Sequence, residues 1–188
     1  MDVVSLIAGL RDDYQAQFAG FVDVQVRAHP EGAPEVKLRL SEGSGLLHDL
    51  FCVDFLVTSD GAPEAIELHP EPRPAFEPFD GGVAGVRVRF EDLRWDDATF
   101  RYAGGAPDPE SLALWFLTWF DPHELRGEAA NDEDADLSGV IHSVSLTDGA
   151  MHVDFGTAPP EAFWELLQVL ADGGVAAVTV GAGKDGAT

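Results

Sequence analysis

Basic residues are scarce in this chain. It contains 11 Lys and Arg residues against 34 Asp and Glu residues, which gives a formal net charge of −23 at pH 7. Such a charge repels the phosphates of nucleic acids and the surfaces of anionic membranes, and it attracts cationic partners. We therefore expect no nucleic-acid partner, no membrane partner and a basic protein as the partner. Acidic residues that serve solubility alone would give the same composition.

Cysteine is almost absent as well. The single cysteine, Cys52, excludes an internal disulfide and fits a reducing compartment. The six histidines form neither a helical pair four residues apart nor a cluster at zinc-binding spacing, so we expect no metal and no cofactor.

Long hydrophobic runs are also missing. No segment approaches the roughly 20 apolar residues that a membrane-spanning helix needs. The first residues carry neither the basic start nor the cleavage site of a secretory signal peptide. These absences predict a soluble, cytoplasmic protein, and 45% hydrophobic residues in a chain of 188 can form a core of ordinary size.

The N-terminal half has helical periodicity followed by strand alternation. Apolar residues at helical spacing over 2–18 predict an amphipathic helix that ends at Gly20. Alternation over 22–26 and again over 36–40 predicts a hairpin, in which Val26 faces Val36. The outward pairs of that hairpin would then include two opposite-charge pairs, Asp23 with Arg39 and Arg27 with Glu35.

A second predicted hairpin follows over 51–68, with its turn at 59–61. Pairing Phe55 with Leu68 would bring Asp54 opposite His69, on the face that also carries Cys52. A histidine-activated thiolate is one possibility there, but Cys52 has apolar neighbours and a small core residue is the alternative.

The C-terminal half contains one pattern twice: strand, tight turn, strand, and a helix that begins with Pro-Glu. The turns are at Asp96-Asp97 and Asp148-Gly149, and the helices begin at Pro109 and Pro160. We interpret the pattern as a tandem ββα repeat, followed by a final strand at 175–180. In the second hairpin the expected pairs are Val144 with Val153, Leu146 with Met151, Ser143 with Asp154 and Ser145 with His152.

These elements predict an α+β fold with mostly antiparallel sheet or sheets and three helices. We expect a single domain over 1–188. Its candidate sub-halves are 1–69 and 83–181, joined by a proline-rich connector over 70–82. The sequence leaves the oligomeric state open.

The helix after Pro109 and the acidic stretch over 121–136 form the candidate partner-binding surface. The two tryptophans of the helix would be core anchors if they point inward, and binding hot spots if they are exposed. The residues assigned to this surface are Trp115, Trp119, Glu124, Glu128, Asp132, Glu133, Asp134 and Asp136.

Two ligand-binding motifs are incomplete. Asp132, Asp134 and Asp136 have the spacing of the first calcium ligands of an EF-hand loop, but the turn glycine and the final glutamate are missing. The C-terminal VTVGAGKDGAT resembles a phosphate-binding loop only superficially, because Lys184 is followed by Asp185 and no helix follows. We therefore assign neither site.

Two further histidines have a predicted place. His152 shares one sheet face with Ser145 and Asp154, but a flat face offers no oxyanion hole for catalysis. His142 lies on the apolar face, and we expect a core histidine whose polar atoms are satisfied; if its imidazole is neutral, stability would fall as the pH falls below its unfolded pKa.

The leading functional hypothesis is a non-catalytic acidic binding protein that neutralises or regulates a basic protein partner, as an immunity protein or an antitoxin does. We assign no catalytic residue. The alternative is a small enzyme or ligand-binding protein with a pocket between the sheet and the helices, using Cys52 with His69 or using His142.

Overall fold

The computed structural model describes residues 2–58, 61–71, 76–125 and 137–183. In this part of the chain, three α-helices accompany nine strands of one sheet, so the predicted α+β fold is confirmed. The elements are α1 (Val3–Ala28), β1 (Ala33–Arg39), β2 (Leu46–Val57), β3 (Glu64–Ile66), β4 (Phe79–Val83), β5 (Val86–Phe90), β6 (Ala98–Ala103), α2 (Pro109–Phe120), β7 (Ser143–Thr147), β8 (Ala150–Asp154), α3 (Pro160–Asp172) and β9 (Ala177–Ala182).

The sheet is mostly antiparallel, as predicted. Its strand order is β1-β2-β7-β8-β6-β9-β5-β4, with β3 paired to β2 outside this path. The β5–β9 pair is parallel. Because β2 pairs with β7, strands from both candidate sub-halves belong to one sheet. The division into sub-halves 1–69 and 83–181 stays a prediction.

The helix α1 is longer than the periodicity predicted. It continues through Gly20 to Ala28, and Val22 packs in the core one turn after Phe18. Val24 and Val26 are exposed, so their alternation was that of a helix surface and not of a strand. A glycine inside a helix costs about 1 kcal/mol relative to alanine, which the burial of the flanking turns offsets.

The predicted first hairpin is therefore wrong. The strand over 36–40 exists as β1, but its partner is β2, with Val36 opposite Val53. The predicted charge pairs are absent from the described contacts: Arg27 pairs with Asp23 on α1, and Arg39 Nη1 donates to the carbonyl oxygen of His48.

The second hairpin forms with a different register. β2 pairs with β3 so that Phe55 lies opposite Ile66 and not Leu68. The predicted juxtaposition of Asp54 with His69 is therefore wrong, because a shift of two residues moves every cross-strand neighbour. The backbone N–H of Leu68 donates to Asp54 Oδ2 at 2.7 Å instead.

The predicted connector over 70–82 contains a strand. β4 begins at Phe79, one residue after Pro78, and pairs with β5 at the edge of the sheet. An edge strand tolerates a proline at its start because the backbone nitrogen at that position does not have to donate a hydrogen bond to a neighbouring strand.

The β7–β8 hairpin confirms the register that the sequence predicted. Val144 lies opposite Val153, Leu146 opposite Met151 and Ser143 opposite Asp154. Gly149 in the turn has φ +70°, a left-handed conformation that glycine adopts without strain.

The first copy of the proposed repeat is built differently. β5 and β6 do not pair, because β9 lies between them, parallel to β5 and antiparallel to β6. The segment that joins them buries Leu93 and Trp95 and is therefore not a tight hairpin turn. The tandem ββα repeat is not confirmed.

Helices α2 and α3 begin where the Pro-Glu starts predicted them. Asp108 caps α2 by accepting a hydrogen bond from the Ser111 backbone N–H at 2.8 Å. The two helices pack together, and the Trp115 indole N–H donates to the carbonyl oxygen of Ala162 at 2.9 Å.

Candidate functional site

The two tryptophans assigned to a binding surface are buried. Trp115 is 4% exposed and Trp119 is 8% exposed, and the Trp119 indole N–H donates to Glu165 Oε2 at 2.8 Å. Of the two alternatives given for these tryptophans, core anchors and exposed binding hot spots, the structure therefore shows core anchors. The large apolar residues that α2 exposes are Leu114 and Leu117.

The acidic part of that surface is only partly described. Glu124 is exposed and has a left-handed backbone, with φ +54°. The other assigned residues lie outside the described part of the chain: Glu128, Asp132, Glu133, Asp134 and Asp136. Their binding role stays a prediction. The incomplete calcium motif and Lys184 also lie outside the described residues.

The structure does not assemble a serine-based site around His152. Ser145 lies opposite His152 in the register, as predicted. The imidazole Nδ1, however, is 2.9 Å from the Thr99 hydroxyl on the neighbouring strand β6, and Asp154 Oδ1 accepts a hydrogen bond from the Gly156 N–H.

Cys52 is buried and His69 is exposed, so the two do not share an accessible surface. Burial raises the pKa of the Cys52 thiol to about 12. A thiol with this pKa is neutral at pH 7 and is a poor nucleophile. Its histidine neighbour is instead His142, whose carbonyl oxygen accepts a hydrogen bond from the Cys52 N–H.

His142 is the centre of a group of buried polar residues. Its side chain is 1% exposed, with Nε2 3.3 Å from Glu35 Oε1 and Nδ1 3.0 Å from Asp54 Oδ1. The Nδ1 contact has ion-pair distance without hydrogen-bond alignment. Asp154 Oδ2 lies 4.0 Å from the same nitrogen. We call His142, Glu35, Asp54, Asp154 and Thr157 the histidine cluster.

The carboxylates closest to the imidazole have further partners. Glu35 accepts hydrogen bonds from the Thr157 hydroxyl and from the Ser138 backbone N–H. Asp54 accepts one from Leu68, as described above. Buried charges are tolerated when their remaining lone pairs are satisfied in this way.

Two residues of the cluster's surroundings, Glu35 and Gly156, have left-handed backbone conformations. Glu35 has φ +49°, a left-handed conformation that is uncommon for a residue with a side chain. Gly156 has φ +48°, and a Cβ atom there would collide with the His142 ring. The Phe18 ring packs edge-on to the imidazole with centroids 5.5 Å apart.

The electrostatics of the cluster favour a charged imidazole. Burial by itself lowers the pKa of His142, but Cys52, Asp54, Glu35 and Asp154 more than offset this, and the pKa lies well above its usual value. Because the Cys52 thiol is neutral at pH 7, the carboxylates supply the compensating charge. His142 is the buried core histidine that the sequence predicted, and its raised pKa reverses the pH dependence expected for a neutral imidazole.

The pKa values of two carboxyl groups in the cluster, those of Glu35 and Asp154, are shifted in opposite directions. Burial raises the pKa of Glu35, but hydrogen bonds from His142, Ser138 and Thr157 outweigh it, and the net pKa is lowered. Burial raises the pKa of Asp154 to about 7, although 29% of its side chain is exposed. The cluster therefore holds one carboxyl that is ionised well below pH 7 and one that titrates near it.

A cavity of about 180 Å³ lies beside this cluster, between α1 and the loop that joins β5 to β6. Its lining includes the acidic residues Asp13, Glu71, Asp92 and Asp96 together with Arg94. We call it the acidic cavity. The described residues that line it are Leu10, Asp13, Tyr14, Gln17, Pro70, Glu71, Phe76, Asp92, Leu93, Arg94, Trp95 and Asp96.

Tyr14 is the link between the two features. It lines the acidic cavity and is 4% exposed. Burial, followed by the carboxylates of Asp154 and Asp54, raises its pKa well above the usual value. The hydroxyl therefore keeps its proton at pH 7.

Sequence reasoning missed the acidic cavity because its walls come from three separate segments. The one local signal was the run EDLRWDD at 91–97, in which acidic residues flank a buried tryptophan. Neither Cys52, His69 nor His142 lines the cavity, so the pocket predicted for the enzyme alternative is not this one.

Over the described residues, no three His, Cys, Asp or Glu side chains converge as a metal site requires. No helix in that same part of the chain is long and apolar enough to span a membrane. Comparisons with protein-family models, with curated proteins and with solved structures found no match for this chain.

Proposed function

We propose that this chain is a non-catalytic binding protein that neutralises or regulates a basic protein partner, in the manner of an immunity protein or an antitoxin. The observation that carries the proposal is the acidic cavity, whose lining among the described residues includes four acidic residues, Arg94 and three aromatic residues. The net charge of −23 supports it, because a field of one sign accelerates encounter with a cationic surface.

Binding fits the side chains better than catalysis does. The only thiol, on Cys52, is buried, and its pKa is raised to about 12. The imidazole of His142 is enclosed by its own carboxylates and does not line the acidic cavity. A general base must reach the proton that it abstracts, and His142 is shielded from any molecule in the cavity.

The size of the cavity also favours a partner side chain over a separate substrate. Pockets for drug-sized ligands usually measure about 300–1,000 Å³. A volume of about 180 Å³ is smaller and accommodates one side chain or a small cation. At this cavity, the volume therefore favours a side chain of a protein partner over a separate drug-sized ligand.

The test is affinity capture from the native host with the purified chain as bait, at about 0.05 M and about 0.5 M salt. We expect a protein of high isoelectric point that is retained at low salt and released at high salt. Calorimetry with the purified partner should then give an affinity that falls at least about tenfold across this range, because exposed charges are screened. Partners that are neutral or acidic, or an affinity indifferent to salt, would overturn the proposal.

A further inference from the structure

We propose that two copies of this chain associate edge to edge through strand β4, with Gly81 of one copy facing Gly81 of the other. The inference is independent of the proposed function. In the described part of the chain, β4 is the last strand of the sheet, and β5 is its only neighbour. The open edge of such a strand carries backbone N–H and C=O groups that another strand can pair.

Strand β4 lacks the features that usually protect an edge. Its sequence FDGGV contains no lysine and no proline, and its pairing with β5 runs over consecutive residues without a bulge. The strand at the other end of the sheet, β1, contains Pro34 and Lys37, and Glu35 between them has a left-handed φ of +49°. Proline, lysine and backbone irregularity discourage pairing, so β4 is the edge that favours it.

The turn between β4 and β5 determines which residues of β4 point outward. Ala84 and Gly85 have φ +52° and +84°, as in the two-residue turn that joins tightly paired strands. Val83 and Val86, which flank this turn, form a hydrogen-bonded pair, and such pairs alternate along the ladder. The backbone N–H and C=O groups of Asp80 and Gly82 therefore point away from β5, towards the open edge.

These outward groups allow a symmetric antiparallel pair. Asp80 of each copy lies opposite Gly82 of the other copy, and the two residues exchange backbone hydrogen bonds. Gly81 then lies on the two-fold axis. A register that pairs Asp80 with Asp80 also satisfies the backbone, but it opposes two like charges.

Charge favours the register that pairs Asp80 with Gly82. Within one chain Gly82 lies opposite Arg87, and a Cβ atom at Gly82 would meet no atom within 4 Å. Arg87 is exposed, and no carboxylate of the described residues forms an ion pair with it. Asp80 of the second copy is therefore separated from Arg87 by a glycine alone, at roughly 10 Å between Cα atoms, which is twice the strand spacing.

The carboxylate of Asp80 has room for this second partner. Arg89 Nη1 of its own chain lies 3.2 Å from Asp80 Oδ1, and the Asp80 side chain is 77% exposed. An ionised carboxylate accepts several hydrogen bonds, so it binds both guanidinium groups.

The opposite face of the paired strands brings apolar side chains together. In this register Phe79 of one copy lies opposite Val83 of the other. Both residues are half-buried, and the Phe79 ring stacks on Phe90 with centroids 5.0 Å apart. Phe79 and Val83 form a non-hydrogen-bonded pair, the kind in which cross-strand side chains lie closest. Association therefore covers apolar surface that a single copy leaves partly exposed.

The net charge of −23 on each copy opposes the association. Salt screens charges that are more than about 10 Å apart at about 0.1 M, whereas the backbone and apolar contacts across β4 are shorter. We therefore expect a weak dimer that is more stable at about 0.3 M than at about 0.03 M salt.

Sedimentation velocity of the full chain tests the association, from about 10 μM to about 1 mM protein in about 0.3 M salt. We expect the fraction of dimer to rise with protein concentration. A monomer at every concentration would overturn the inference.

The register is tested with Gly81→Cys and its control Gly82→Cys under mild oxidation. A Cβ atom at Gly81 meets Phe90 at 3.5 Å, which is ordinary contact, and one at Gly82 meets nothing, so both variants fit the fold. Across the dimer axis the two Cα atoms at position 81 are about 4.5 Å apart, within disulfide reach, whereas those at position 82 are about 8 Å apart, beyond it.

We expect the Gly81→Cys chain to form a disulfide dimer at least about tenfold faster than the Gly82→Cys chain, as measured by non-reducing electrophoresis. Cys52 is buried, so the introduced thiol is the one that reacts. Random collisions would favour Gly82→Cys, because Gly82 is exposed and Gly81 is half-buried. Equal rates, or a faster reaction of Gly82→Cys, would therefore contradict the pairing.

The ion pair is tested with Arg87→Gln and a matched control, Arg101→Gln. Both arginines are exposed on the same face of the sheet, and both changes alter the net charge equally. Arg101 lies on β6, which β9 and β5 separate from β4. We expect Arg87→Gln to weaken the dimer at least about threefold, because the pair occurs twice in each dimer, and Arg101→Gln to leave it unchanged. An equal effect of the two changes would overturn the proposed register.

Discussion

The histidine cluster and the acidic cavity both gather carboxyl groups, and Tyr14 lies beside each of them. In the cluster, Glu35 and Asp54 are almost fully buried and lie within ion-pair distance of the His142 imidazole. In the acidic cavity, Glu71 and Asp92 are exposed, whereas the Asp96 side chain is 18% exposed and pairs with Arg94. The comparison teaches that the chain balances its buried carboxylates with groups of its own, whereas exposed carboxylates such as that of Asp92 are stabilised by water.

The largest expected effect comes from breaking the cluster with Glu35→Ala. The change leaves a charged imidazole buried without its hydrogen-bonded carboxylate, and loss of one partner of a buried pair destabilises by about 3 kcal/mol. Denaturant unfolding measures the loss. Glu64→Ala, at an exposed position, is the control and should change stability by less than about 0.5 kcal/mol. Equal effects of the two changes would contradict a paired cation at His142.

The second prediction concerns the pH dependence of the stability that the histidine cluster provides. The pKa of Asp154 is raised to about 7 and that of His142 is raised well above its usual value, so the folded state binds more protons than the unfolded state. The protonated forms of Asp154 and His142 therefore stabilise the folded state at low pH, and this stabilisation is lost as the pH rises. The unfolding free energy should therefore fall by about 2 kcal/mol between about pH 5 and pH 8, an estimate reduced for the partial exposure of Asp154.

The variant Asp154→Asn isolates one of these groups. The asparagine oxygen can still accept the hydrogen bond from the Gly156 N–H, but the side chain no longer titrates. Urea unfolding at several pH values should therefore show a flatter profile than the parent chain. A profile as steep as that of the parent would assign the pH dependence to His142 or to the general acidity of the surface.

The smallest effect is expected in the cavity, from Asp92→Asn. Removing an exposed charge from a chain of net charge −23 should stabilise it by less than about 0.5 kcal/mol. Thermal unfolding at about 0.05 M and about 0.5 M salt should show this gain shrinking as the salt screens the repulsion. A large loss of stability would mean that the cavity charges are part of the folded core, as those of the histidine cluster are.

Local sequence signals predicted the local parts of this fold. The Asp148-Gly149 turn fixed the register of β7 and β8, because two residues between alternating strands leave one good pairing. Asp108 and Pro109 likewise marked the start of α2. In contrast, valines two residues apart at 22–26 fit a strand as well as a helix surface, and only the packing of Val22 after Phe18 decides between them.

The contacts that define the candidate site are distant in sequence. Glu35 and His142 are 107 residues apart, and no turn or periodicity connects them. The position of β9 between β5 and β6 is also unpredictable from the local pattern, since a parallel neighbour can come from any later strand. The sequence therefore predicted His142 as a core residue without predicting what would surround it.

The position of β9 also imposes an order on biosynthesis. β4, β5 and β6 leave the ribosome long before β9, which begins at Ala177. Until β9 arrives, the nascent chain carries unpaired edges on β5 and β6, and such edges associate readily with other strands. The net charge of −23 opposes association between such unfinished copies, because like charges repel.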